Sequence, residues 1–237
     1  MQSKTNVVLV HGAWADASTW SKVIPLLDEK RFNVTAVQLP LTSLTDDIAV
    51  TRNFLAAQSG PTVLVGHSYG GAVITGAANG APNVKALVYI AAFGLDEGES
   101  LEGLSNQGPA TLGAAQIRPD ANGFLWIDRD GFAKVFAADV DPVEARVMAA
   151  VQRPLSFKSF TEKSGPPAWK HLPSWYLVSS NDQMIPPPAE EFMAKRMGAT
   201  VRTVAASHAS MVSHPKEVVE LITSAASTSA AASAATR

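Results

Sequence analysis

Apolar residues in this chain fall in short, nearly unbroken runs separated by longer stretches of helical period. Residues 6–10, 33–38, 62–66 and 84–91 are rich in Val, Ile and Leu, and the signal returns at 175–180 and 200–204. Near-continuous apolar character is what a strand covered on both faces requires, so these six runs predict a buried parallel sheet. Between them, residues 19–27, 46–57, 71–78, 189–197 and 216–225 predict helices. Pro25 disturbs the end of the first. Ser43 or Thr45 can cap the second, and Asp46 and Asp47 suit the positive end of its dipole. Three prolines at 186–188 set the entry of the fourth, and Pro215 begins the fifth. Strands alternating with helices predict right-handed crossovers and an α/β fold with helices on both faces of the sheet.

One interval breaks the alternation. Residues 94–171, between the fourth and fifth strands, are far too many for an ordinary connection. They carry Phe124, Trp126, Phe132, Phe136, Phe157, Phe160 and Trp169. The expectation is a helical cap with its own small core, laid over the carboxyl end of the sheet, where ligands bind in open α/β folds. The chain is thereby divided into a core domain (1–93 and 172–226), a cap (94–171) and a low-complexity tail (227–237) of Ala, Ser and Thr ending in Arg, expected as a frayed helix end or disorder.

Composition narrows the function classes. With 237 residues, 46% of them hydrophobic, the chain can bury a sizeable core. Its net charge of −2 and scattered charges leave no basic stripe, so nucleic acid and anionic membrane are not expected partners. There is no cysteine, which removes disulfides, thiolate metal sites and cysteine nucleophiles. No two histidines have metal-binding spacing and no phosphate-binding glycine loop occurs, so no metal and no cofactor are expected. No apolar run is long enough to span a bilayer, and the polar start at 1–5 lacks a signal-peptide core, so the expected location is cytoplasmic.

The sharpest chemical signal is Gly66-His67-Ser68-Tyr69-Gly70, placed between a predicted strand and a predicted helix. This G-x-S-x-G pattern puts a serine on a tight turn where bulky neighbours would clash, with a helix N-terminus beside the developing oxyanion. A serine hydroxyl needs a base. Of five histidines, His208 follows the last strand and can reach over Ser68, whereas His67 packs beside the turn, His171 reads as surface or cap, and His214 precedes Pro215 at a helix start. His11 ends the first strand. Asp182, after the fifth strand, is the candidate to orient His208, with Asp96 as its rival in a solvated acidic turn. The backbone N–H groups of Tyr69 and Ala13 are the candidate oxyanion donors. Trp14, Met184, Met211, Trp126 and Phe136 are candidate pocket residues for a small, largely apolar substrate.

Taken together, the His11-Gly12 pair with Trp14, the Gly-His-Ser-x-Gly-Gly elbow, and the Asp182 and His208 loops resemble the α/β-hydrolase superfamily. The likeness is to the branch of plant methyl-ester esterases and hydroxynitrile lyases with their bacterial relatives. The resemblance covers nearly the whole chain except its tail. It implies a core sheet, a cap after the fourth parallel strand, and no cofactor. Hydroxynitrile lyases of that branch carry a Thr after the first-strand His, where this chain has Gly12, and the Asp-nucleophile enzymes of the superfamily lack a serine at the position of Ser68. The expected function is therefore a serine hydrolase acting on a carboxylic ester or lactone through an acyl-enzyme. A cofactor-free lyase or C–C hydrolase using the same three residues is one alternative, and a ligand-binding receptor with little turnover is another. A homodimer is a candidate assembly.

Overall fold

The computed structural model describes residues 4–108 and 110–235. Strands β1 (Asn6–Val10) and β2 (Asn33–Val37) flank α1 (Val23–Glu29). Pro25 lies in the first turn of α1, where no intrahelical amide is required of it. Helix α2 (Leu44–Ala56) is capped by Ser43, whose hydroxyl accepts from the Asp46 amide at 3.0 Å. Then come β3 (Thr62–His67), α3 (Tyr69–Ala77) and β4 (Val84–Ile90). The interval that follows holds α4 (Leu101–Ser105), β5 (Ile117–Pro119), β6 (Phe124–Ile127), α5 (Arg129–Phe136), α6 (Pro142–Val151), β7 (Leu155–Ser156) and α7 (Phe157–Thr161). The chain returns through β8 (Ser174–Ser179), α8 (Pro187–Arg196), β9 (Thr200–Val204), α9 (Ser210–Ser213) and α10 (Pro215–Ala235).

The main sheet has six strands in the order β2-β1-β3-β4-β8-β9, paired in parallel throughout. The interior strands β1, β3 and β8 are buried along their whole length, as their unbroken apolar runs predict. The edges differ from the expectation of burial on both faces. In β9 only Val204 is buried, and in β2 only Val37, because an edge strand has one neighbour and thinner cover.

One further expectation is corrected. The interval after β4 is not purely helical, since β5, β6 and β7 form a separate antiparallel sheet. Its hairpin turn runs through Asp120, whose carboxylate accepts from the Asn122 and Phe124 amides, and Gly123 at φ 80°. Of the two readings of the low-complexity tail, helix end or disorder, the structure shows helix: α10 runs on to Ala235, since alanine has the highest helix propensity and the hydroxyls of Ser227 and Thr228 bond back to carbonyls one turn earlier. Residues 236–237 lie outside the described residues. Among the described residues, no helix is long and apolar enough to cross a membrane.

Candidate active site

Ser68 sits between β3 and α3 with φ 53° and ψ −122°, a conformation that L-residues rarely adopt. Close packing holds it there. A Cβ on Gly66 would lie 2.5 Å from the Gly70 carbonyl oxygen, and one on Gly70 would lie 2.5 Å from the Val10 oxygen. The Ser68 carbonyl accepts from the Gly71 and Phe93 amides at 3.0 Å each. Gly12 leaves room for the nucleophile: a Cβ there would stand 2.7 Å from Ser68 Cβ.

His208 and Asp182 are both buried and are joined at 2.5 Å from Nδ1 to Oδ2. With a carboxylate accepting at Nδ1, the imidazole proton resides there, and Nε2 keeps a basic lone pair. Nε2 is buried and, among the described residues, bonds to no protein atom. The other Asp182 oxygen accepts from the Met184 and Ile185 amides at 2.6 and 3.0 Å, which fixes the carboxylate plane. The rival Asp96 pairs with Lys170 at 2.6 Å in a turn at the surface, and this contact draws its carboxyl below the usual range.

The remaining histidines have distinct environments. His67 donates Nε2–H to the carbonyl of His208 at 2.9 Å, and the two rings are 4.7 Å apart. Burial, reinforced by the neighbouring His208, pushes His67 well below the ordinary imidazole value, so it is neutral. His11 donates from Nδ1 to the Gly12 carbonyl at 2.8 Å and accepts the Leu39 amide at Nε2 at 3.0 Å. Burial lowers its pKa to about 4. The Gly12 carbonyl and the Ala13 N–H belong to one planar trans peptide, so tethering the oxygen to His11 aims the N–H the opposite way. Ala13 and Tyr69 line one cavity together with Ser68, and Tyr69 opens α3, where its N–H has no intrahelical acceptor.

That cavity measures about 540 Å³. The sheet side supplies Trp14 and Phe93, the insertion supplies Leu101, Leu104 and Phe160, and α8 supplies Phe192. Trp14 and Met184 line it as expected from the sequence. Three other candidates do not. Met211 is fully buried, because α9 packs it into the hydrophobic core. Trp126 stands 37% exposed on β6, its indole bonded to Asp120. Phe136 packs its ring edge on His208 at 4.9 Å, so it shapes the base's surroundings and not the cavity wall.

Sequence reasoning missed several residues around the site. Asp47 does more than offset a helix dipole: it is fully buried, accepting the Leu41 amide at 2.8 Å and the Tyr69 hydroxyl at 2.5 Å. Burial raises its pKa to about 6. Asp139, after α5, accepts the amide and hydroxyl of Ser207 at 3.1 and 2.5 Å, next to His208. Glu190, on α8, is fully buried beside Asp182. Nothing in the spacing of these acids marks them, because each acts through a partner distant in sequence.

Comparison with known proteins agrees with this architecture. Residues 7–221 match the alpha/beta hydrolase family. The pyrethroid hydrolase of Sphingobium wenxiniae is 28% identical over 92% of this chain and 86% of that protein. The putative chloroplastic methylesterase 13 of Arabidopsis thaliana is 28% identical over 79% of this chain and 48% of that protein. The crystal structure of the pyrethroid hydrolase PytH superposes with a TM-score of 0.79 at 25% identity, covering 93% of this chain and 96% of that one. By fold, by the strained serine turn and by this match along most of its length, the chain belongs to the alpha/beta hydrolase family and is a hydrolase enzyme.

Proposed function

We propose that the protein hydrolyses a carboxylic ester or lactone of a small, largely apolar substrate through an acyl-enzyme formed on Ser68. The observation that carries this reading is the 2.5 Å bond between His208 Nδ1 and Asp182, made by a histidine whose own carbonyl accepts from His67, the residue before Ser68, at 2.9 Å. In this reading Ser68 Oγ attacks the carbonyl carbon and its proton passes to His208 Nε2. Asp182 holds the imidazole in the required tautomer and stabilises the imidazolium. The N–H groups of Ala13 and Tyr69 receive the oxyanion, and removing one such donor typically costs about 100- to 1000-fold in kcat. His208 then protonates the leaving alcohol and, in the second half-reaction, deprotonates the water that releases the acid.

The cavity supports an uncharged substrate, since among the described residues no Asp, Glu, Lys or Arg lines it. The pyrethroid hydrolase and methylesterase relatives support an ester as the scissile group. The test is hydrolysis of p-nitrophenyl esters of increasing acyl length by the wild type and by Ser68→Ala. Loss of about 10⁴-fold or more in the variant, with a burst of one p-nitrophenol per wild-type protein where deacylation is slow, is the expected result. Equal rates in the two proteins would remove Ser68 from the chemistry.

A further inference from the structure

The chemistry above makes no use of Glu190, although it is fully buried against the acid that orients His208. Its Oε2 accepts the Ser179 amide at 3.0 Å. Its Oε1 is buried and, among the described residues, has no donor directed at it. The carboxyl group of Asp182 lies within hydrogen-bonding reach of this side chain. Two ionised carboxylates can only accept, so they would repel; a single proton between them converts the contact into a bond and supplies a partner for the orphaned Oε1.

The surroundings decide which acid holds that proton. Asp182 receives three N–H donors, from Met184, Ile185 and His208. Glu190 receives one, from Ser179. Donors stabilise the ionised form, so the negative charge belongs on Asp182 and the proton on Glu190. Among the described residues, the other titratable groups named around Glu190 and its neighbour are two acids, Glu191 and Tyr176, and the base His208, whose bond is made to Asp182 and not to Glu190. Burial, with the charge of Asp182 adding to it, pushes Glu190 well above the ordinary carboxylate range.

We infer that Glu190 is a positioning residue, kept neutral, which donates its Oε1 proton to the Asp182 carboxylate and thereby holds that carboxylate as the acceptor for His208. The inference rests on reading Ser68, His208 and Asp182 as the reacting set. It also predicts an electronic effect: a donor on Asp182 withdraws some of the negative charge that Asp182 presents to the imidazole.

The experiment combines spectroscopy of the resting protein with two variants. In protein labelled with ¹³C at the glutamate side-chain carboxyl, one resonance at pH 7 should hold the protonated position, and Glu190→Gln should remove it. Glu190→Gln keeps a neutral donor, so kcat/KM should stay within about threefold of wild type, with the acid limb of its pH profile unmoved. Glu190→Leu removes the donor: kcat should fall about 10- to 100-fold with little change in KM, and the acid limb should move to higher pH. An ionised resonance for every glutamate would overturn the inference. So would an acid limb displaced to lower pH in Glu190→Gln, the sign expected when a negative charge is lost, or a Glu190→Leu enzyme that matches wild type. The carboxyl resonance is read without turnover, so it decides the matter if Glu190→Leu does not fold. Full activity in Ser68→Ala would fault the triad reading instead, and the resonance would still locate the proton independently.

Discussion

The hydroxyl of Ser207 donates to Asp139 at 2.5 Å, so a residue of the inserted segment grips the loop that carries His208. The Ser207 amide reaches the same carboxylate, and on the other side of His208 the Ala209 amide donates to the Phe136 carbonyl at 3.0 Å. The insertion thus does two things at once. It walls the cavity, and it fastens the backbone on either side of the candidate base. Asp139→Ala should leave the sheet folded but free the loop, lowering kcat about 10- to 100-fold with a smaller change in KM, as expected when a reacting group is misplaced by about 1 Å. Steady-state kinetics beside a thermal melt would check this; a variant with wild-type kcat would mean that the Phe136 contact suffices.

Gly12→Ala tests the contact between the first loop and the nucleophile turn. The added methyl would stand 2.7 Å from Ser68 Cβ, and its neighbours there include the His67 carbonyl oxygen at 3.0 Å, which cannot swing away as a flexible side chain can. One of the two turns must move, and both carry a candidate oxyanion donor. The expected result is a kcat reduced about 100-fold or more, with the fold retained. Retention of full kcat would show that the two turns are not held in register by this contact.

Trp14 joins the core to the insertion, its indole N–H donating to the Leu125 carbonyl at 2.8 Å and its own amide to the Arg153 carbonyl at 3.0 Å. Trp14→Phe keeps most of the ring but orphans a buried carbonyl. Denaturant melts should register a loss of about 1–3 kcal/mol, and KM for apolar esters should rise severalfold, because the residue also lines the cavity. Unchanged stability would imply that Leu125 finds water or another donor.

Stability towards acid follows from buried groups of opposite sign. His11, lowered from 6.5 to about 4, is neutral in the folded protein, and His67 is shifted in the same direction. As pH falls below 6.5 the unfolded chain takes up these protons first, so stability is lost; for His11 the loss runs down to about pH 4 and amounts to roughly 3 kcal/mol. Asp47 is raised from 3.8 to about 6, so the folded protein holds that proton more tightly. Its contribution is largest below pH 3.8 and is lost as pH rises to about 6, which partly cancels the histidine slope. Asp47→Asn can bond the same partners and has no proton to exchange. Its melting temperature should therefore fall more steeply than that of wild type between about pH 6 and 4, and equal slopes would contradict the assignment.

Much of this molecule was legible in its residues. Six apolar runs named six parallel strands to within a residue or two at their ends; burial on both faces explains the pattern of the interior strands, while the edge strands β2 and β9 carried a β-branched run without that burial. Ser68 was legible from its glycines, since the strained turn excludes most other neighbours. The pairing of His208 with Asp182 followed from their places after the last two strands, as parallel strands bring their carboxyl ends to one edge. The insertion was legible only as an interruption: its antiparallel sheet was not foreseen, although Asp120 and Gly123 bracket an ordinary hairpin turn.

Tertiary structure alone decided the rest. It turned Met211 into the core and Trp126 towards solvent, while drawing Phe160 and Phe192 into the cavity wall. It also brought Asp47, Asp139 and Glu190 into or beside the site as partners of Tyr69, Ser207 and Asp182. Hydrophobic periodicity and turn chemistry act over a few neighbouring residues and can be read from them. A carboxyl group's role depends on which distant donor or acid it meets, and on how much water that meeting excludes, and both arise only when the chain has closed on itself.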